Sequence, residues 1–187
     1  MAPALNIEDD FRVHVRTKAK DGDAYLTFTA TSAVTVIAEL FRTSSVEVCI
    51  FLADLPYEVA FHQEVLDEAK RFLLRRPDHV IRIMIRTTAL MRGSRPELVE
   101  ALRVFRKDIP SDRVYVTRIP DTRVPFGRPF NFVRSHSGSY WLGKGPWAKG
   151  RHEGTYQFGP NHFSVETLQR IIDRDGQGFR PILRQNH

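Results

Sequence analysis

Hydrophobic positions along this chain change period several times, and each change marks an element. Phe11-Arg12-Val13-His14-Val15-Arg16 alternates apolar and polar residues, the pattern of a half-buried strand. Asp21-Gly22-Asp23 supplies turn chemistry, and Tyr25-Leu26-Thr27-Phe28 reads as the strand returning from it, so residues 1–30 are expected to form an N-terminal β-hairpin. Thr31 or Ser32 can cap a helix striped by Val34, Ile37, Ala38 and Phe41. The run Val46 to Leu52 is then almost continuously apolar and rich in β-branched residues, as in strands buried on both faces.

The alternation repeats. Phe61, Val65, Leu66, Ala69, Phe72 and Leu73 return to helical spacing, and Arg75-Arg76-Pro77 ends it with cations and a helix breaker. Residues 80–85 form a second apolar strand. Ser94-Arg95-Pro96-Glu97 is a capping box opening a helix that closes near Pro110, and 113–117 is a third strand. After Pro120 the texture changes: 121–129 reads as a loop, 130–134, 139–142 and 154–158 as short strands, and Ser164 caps a last helix ended by Gly176. The expected fold class is therefore α/β: a mixed, mostly parallel central sheet with helices on both faces, spanning 31–176, followed by a tail at 177–187.

Composition narrows the class. With 187 residues, 42% hydrophobic and 27% charged, the chain is suited to one globular domain with its own core. Its longest uncharged apolar run, Val48 to Ala53, is far short of the ~20 residues that cross a bilayer, so no membrane role is expected. The first residues carry neither the charged nor the apolar region of a signal peptide, and one cysteine allows no internal disulfide, which points to a reducing cytoplasm. Charge is lopsided. Residues 1–110 hold 16 basic and 16 acidic side chains and residues 111–187 hold 12 and 6, so the whole +6 excess lies in the second part. An anionic partner, nucleic acid above all, fits that asymmetry.

Candidate chemistry concentrates at 134–163, where Arg134, His136, Ser137, Lys144, Lys149, Arg151, His152, Glu153, Asn161 and His162 are interleaved with Tyr140, Trp141, Trp147 and Tyr156. Six of the eleven glycines fall between Gly138 and Gly159, and cations beside aromatics suit phosphates and stacked bases. Arg123, Arg128, Arg134, Lys144, Lys149 and Arg151 are the expected phosphate contacts, with Trp141 and Trp147 as stacking or interface residues; the alternative is a glycine-rich hairpin with a tryptophan anchored on the core. Asp54 follows a buried strand at its carboxyl end, where open α/β sheets bind ligands; with Arg86, Thr87, His136 and Asn161 it outlines an expected pocket, and the competing account makes it a turn or cap residue. Gly143-Lys144-Gly145 lacks the spacing of a P-loop, no G-x-S-x-G elbow exists, and the histidines have no metal-ligand framework, so no metal and no cofactor are expected. Cys49 reads as a buried inert thiol and His62 and His79 as solvated. Arg71, Arg75 and Arg76, with Arg103, Arg106 and Lys107, read as solvated helix faces.

The order of elements, with Ala53-Asp54-Leu55 after the first buried strand and Ser135-His136-Ser137-Gly138 opening a glycine-bearing hairpin, resembles one half of the phospholipase D-like fold. Active members of that family carry H-x-K-x4-D and a G-S/T-x-N segment; their histidine attacks phosphorus, their lysine holds the phosphoryl oxygens, and a second copy of the motif protonates the leaving group. The resemblance places His136 at the histidine, Gly138 at the lysine, Gly143 at the aspartate, Gly154-Thr155 at the G-S/T step and Gln157 at the asparagine. It implies a catalytically degenerate domain like small ones of bacteria, whose complete site would need a homodimer. A nucleophilic imidazole needs a cation on the developing charge, worth about 3–4 kcal/mol, and Gly138 cannot supply one.

Three functions follow as expectations. The first is a non-catalytic, phosphate-recognising or assembly module, a nucleic-acid-associated subunit of a bacterial complex. The second is a dimeric phosphodiesterase or nuclease using His136. The third is a purely structural subunit whose aromatic loop docks on another protein.

Overall fold

A computed structural model describes residues 7–18, 23–52, 59, 62–86, 113–119, 130–144 and 153–159. In chain order these form α1 (Ile7–Lys18), β1 (Ala24–Thr27), α2 (Ala30–Thr43), β2 (Glu47–Leu52), α3 (Gln63–Arg75), β3 (Val80–Arg86), β4 (Val114–Ile119), β5 (Phe130–Ser135), β6 (Tyr140–Lys144) and β7 (Gly154–Gln157). The expected helices at 94–110 and 164–176, the loop at 121–129 and the tail lie outside the described residues.

The first element is a helix where alternation predicted a strand. Phe11 and Val15 are four residues apart and so share one helical face; Val15 is fully buried and Phe11 half-buried, while Val13, the residue that made the alternation look β-like, is exposed. Arg12 donates two hydrogen bonds to the Glu64 carboxylate on α3, at 2.6 and 2.8 Å, which pins the helix across the domain. With 11–16 helical there is no N-terminal hairpin. β1 pairs instead with β7 at the other end of the sequence.

Seven strands form one sheet in the order β1-β7-β6-β5-β2-β3-β4. Among the described strands only β2–β3 and β3–β4 are parallel; β2–β5, β5–β6, β6–β7 and β1–β7 are antiparallel, so the sheet is mixed but not mostly parallel. The reason is connection length. β2, β3 and β4 are separated by segments long enough for crossovers, whereas four residues join β5 to β6 and can only make a hairpin.

α2 and α3 lie side by side on one face of the sheet, with Phe41 and Phe72 in contact at 5.9 Å between centroids. They share a core with Val48, Ile50 and Leu52 of β2 and Ile81, Ile83 and Ile85 of β3. Every second strand residue points the other way, where Phe51 stacks on Phe132 at 5.4 Å and Met84 is fully buried. The described helices cover one face; the expectation of helices on both rests on segments outside the described residues. Thr29 caps α2 in a reciprocal capping box with Ser32, two residues before Thr31 and three before Ser32, the caps the sequence suggested. Between the helices, Arg42 donates to Glu39 and, at 3.0 Å, to Glu68, two carboxylates that are almost wholly buried. No described helix is long and apolar enough to cross a membrane.

Candidate functional site

His136 opens the turn between β5 and β6. Ser135 N–H donates to Ser139 O at 2.8 Å and Gly138 N–H to Ser135 O at 3.1 Å, closing the turn, and Gly138 has φ 96°, which an L side chain strains to adopt. Ser135 and Ser137 hydroxyls lie 2.8 Å apart, and the Ser139 hydroxyl accepts from Gly159 N–H at 2.9 Å, tying the turn to the end of β7. The His136 N–H donates to Glu47 O at 2.8 Å, and its side chain is exposed. The turn therefore presents an imidazole beside a hydroxyl, Ser137, that is exposed as well. The position the resemblance assigns to lysine is the residue that makes the turn. The aspartate position, Gly143, sits inside β6 opposite Asn131 and Gly154.

Strand register separates His136 from the pocket expected around it. Val48 pairs with Ser135, so His136 lies level with Glu47 at the amino end of β2. Arg86 lies one step beyond the Leu52–Ile85 pair, past the carboxyl end. Six positions at about 3.3 Å each put their backbones about 20 Å apart along the strand direction. They do not share a site. Asp54, Thr87 and Asn161 lie outside the described residues, as do Arg123, Arg128, Lys149, Arg151, Trp147, His152 and His162. Lys144 ends β6 opposite Phe130.

Two expected surface contacts are interior. Trp141 is fully buried on the helix-covered face, and its indole N–H donates to the Thr27 hydroxyl at 3.1 Å. A ring held there cannot stack on a base. Arg134 is 7% exposed, so it is no open phosphate contact. His79, expected to be solvated, is 2% exposed, stacks on Phe72 at 4.3 Å and bonds Phe72 O through Nδ1 at 2.6 Å. His62 is exposed and caps α3.

What the sequence reading missed is a polar row across the sheet face opposite α2 and α3. Register aligns Tyr115, Arg82, Cys49, Arg134 and Tyr140 on adjacent strands, with Glu47 two residues from Cys49 on the same face. Arg82 Nε donates to Glu47 at 2.6 Å, the Cys49 thiol to the other oxygen of that carboxylate at 3.2 Å, and the Arg82 guanidinium lies 5.1 Å from the Tyr115 ring centroid. Burial works against the Arg82 charge, but its hydrogen bond to Glu47 and that carboxylate's field outweigh the loss, so the proton is held more tightly than usual. Burial alone raises the Tyr140 hydroxyl. The signal was present: single charges at Glu47, Arg82 and Arg134 interrupt apolar strands at positions of one parity.

The Cys49 thiol is pushed far up, first by burial and then by the Glu47 charge and hydrogen bond, so it is no nucleophile. The folded protein keeps this proton in alkali while the unfolded chain loses it near pH 8.5; above that pH the unfolded state binds fewer protons and stability falls. Urea titrations at rising pH should show Cys49 costing up to about 1.4 kcal/mol per pH unit, an increment that Cys49→Ala lacks. Equal slopes in the two proteins would contradict the buried neutral thiol.

Elsewhere cations are already committed. Arg75 donates to Phe41 O and Arg42 O at the end of α2, Arg113 to Leu73 O and Arg76 O at the end of α3, Arg71 pairs with Glu68, and Arg76 with Asp78. Arg71, Arg75 and Arg76 are exposed, as expected of solvated faces, and each is also engaged by a carboxylate or a helix end. Arg103, Arg106 and Lys107 lie outside the described residues. A cleft of about 520 Å³ opens beside β1, lined by Phe11, Leu26, Phe28 and threonine and serine side chains with no charged group. No metal-binding cluster occurs among the described residues.

No protein-family model matches this chain, and no curated protein does. Solved structures do match. A phosphatidylserine synthase of Haemophilus influenzae Rd KW20 superposes with TM-score 0.59 at 14% identity, over 95% of this chain and 44% of that one. TrmBL2, an archaeal chromatin protein described as showing a novel mode of DNA binding, superposes with TM-score 0.55 at 6% identity, over 93% of this chain and 60% of that one. The chain thus spans less than two thirds of either neighbour, and at these identities the likeness is one of fold alone, a mixed α/β fold.

Proposed function

We propose that the protein is a non-catalytic phosphate-recognising module associated with nucleic acid, a subunit of a larger assembly. The observation that carries this reading is the charge asymmetry: 12 basic against 6 acidic side chains after residue 110, in a chain otherwise balanced. The described cations of the first part are largely engaged by carboxylates and helix ends, which leaves Arg123, Arg128, Lys144, Lys149 and Arg151 of the basic part as the phosphate contacts. Trp147 is the stacking candidate that remains once Trp141 is assigned to the core. Fold likeness to a DNA-binding chromatin protein supports the same direction. Against catalysis stands the turn itself: Gly138 at φ 96° stands where a cation would have to hold the phosphoryl group.

Titrating a fluorescent oligonucleotide at rising salt tests the reading. Affinity should fall by about 0.7–0.9 log units per neutralised phosphate per decade of salt, and Lys149→Ala with Arg151→Ala should shallow that slope, while His136→Ala leaves it unchanged. No binding at low salt, or binding indifferent to salt, would overturn it. Cleavage of the oligonucleotide that His136→Ala abolishes would replace it with the enzymatic reading.

A further inference from the structure

We propose that the rim of the polar row is a platform for single-stranded nucleic acid, whose bases stack on Tyr140 and Tyr115. This platform, which presupposes the nucleic-acid reading above, gives that reading a surface and a strandedness. Register puts Tyr115, Arg82, Cys49, Arg134 and Tyr140 at one level on five neighbouring strands. Strands about 4.8 Å apart then set the two tyrosine positions about 19 Å from each other. Exposure traces the path between them. Cys49 and Arg134 form a buried floor, whereas Arg82, Glu47 and both tyrosines are half-buried and His136, bonded through its N–H to Glu47 O, is exposed. Farther along the same face Phe51, Met84 and Phe132 are wholly buried, so solvent reaches the face at this rim.

Three observations favour this occupant. Charge is the first. Among the described residues the row holds two guanidiniums and one carboxylate, and that carboxylate is already taken up by Arg82 and the Cys49 thiol. The surface thus favours an anion, and it belongs to a chain of net charge +6. The second is the aromatic component. The Arg82 guanidinium lies 5.1 Å from the Tyr115 ring centroid, a pairing of cation and ring that suits a stacked base and its phosphate. At the other end, no described residue bonds the Tyr140 hydroxyl or stacks on its ring, and burial alone raises its pKa, so the phenol stays neutral beside a phosphate. The third is shape. The rim is a line of side chains lying on a sheet face, with no described helix on that side to enter a duplex groove. Bases already stacked within a duplex have no face left for a tyrosine, whereas unpaired bases do.

Fluorescein-labelled oligothymidylate and a duplex of the same length, each titrated with the full chain, test the platform. The single strand should bind at least about tenfold tighter than the duplex. Tyr140→Ala should weaken it about tenfold and Tyr140→Phe should not, because the ring and not the hydroxyl carries the contact. Salt dependence should be the same in all three proteins, since no phosphate contact is lost. Urea midpoints report whether Tyr140→Ala remains folded. Photocrosslinking of the wild type to an iodouracil-substituted strand reads the same contact without a substitution, and should label Tyr140 or Tyr115. Cross-links confined to other residues, wild-type affinity in folded Tyr140→Ala, or equal binding of the duplex would each overturn the platform while leaving the phosphate-driven reading standing. Absence of any binding by the wild type would overturn both.

Discussion

Trp141→Ala should cost about 3–5 kcal/mol of folding stability, enough to lower the melting temperature by roughly 6–20 °C in a chain of this size. Among the described residues Trp141 is the largest fully buried side chain, flanked in its own layer by Tyr156 and Val133 on the neighbouring strands. Its indole N–H reaches Thr27 on β1, bridging across β7. Gly154 on β7 is glycine for the same reason: a methyl there would sit 2.7 Å from both the indole nitrogen and the Thr27 hydroxyl. Truncating the ring removes this filling and opens a void against backbone already fitted closely to it. Trp141→Phe should cost less, since the cavity is smaller and mainly the hydrogen bond is lost. Urea unfolding of both variants measures the difference. A loss under about 1 kcal/mol in Trp141→Ala, accompanied by weaker oligonucleotide binding, would return Trp141 to the surface role its sequence context suggested.

The Arg42→Met variant should lose about 2–4 kcal/mol, because it strands two carboxylates rather than one. Glu39 and Glu68 are each 6% exposed, and Arg42 bonds Glu39 on its own helix and Glu68 across the α2–α3 contact. Burial opposes the Arg42 charge, yet the Glu68 hydrogen bond and the fields of Glu39 and Glu68 more than offset it, so its pKa stands above the usual guanidinium value. Arg71 still reaches Glu68 at 2.6 Å and Arg16 lies 3.9 Å from Glu39, which holds the expected loss below that of a fully isolated buried pair. Adding Glu39→Gln and Glu68→Gln to Arg42→Met should recover a large part of the loss, since the uncompensated charge is its source. No recovery would assign the cost to packing of the arginine stem instead.

Long apolar runs proved readable because their cause is local. A stretch such as Val-Cys-Ile-Phe-Leu must be buried on both sides wherever it goes, and helices at 30–43 and 63–75 announce themselves by stripes at three and four residues. The 11–16 segment misled because Phe11, Val13 and Val15 satisfy period two while Phe11 and Val15 alone satisfy the helix; partners on α2 and α3 decided between them. Trp141 stayed open between surface and core for another reason. A tryptophan among glycines and cations looks the same from the sequence whether it faces a ligand or a threonine from a strand 114 residues away.

The sequence by itself determined the class of the fold, the limits of the strands and two of the helices, the buried state of Cys49 and the concentration of positive charge after residue 110. Tertiary structure alone decided which strands are neighbours. Pairing depends on connections and on the other strands present, not on any one segment. Register then set which side chains meet: it placed His136 and Arg86 at opposite ends of the sheet, gathered Glu47, Arg82 and Arg134 into one polar row, and left the uncharged strand at 24–27 on the rim.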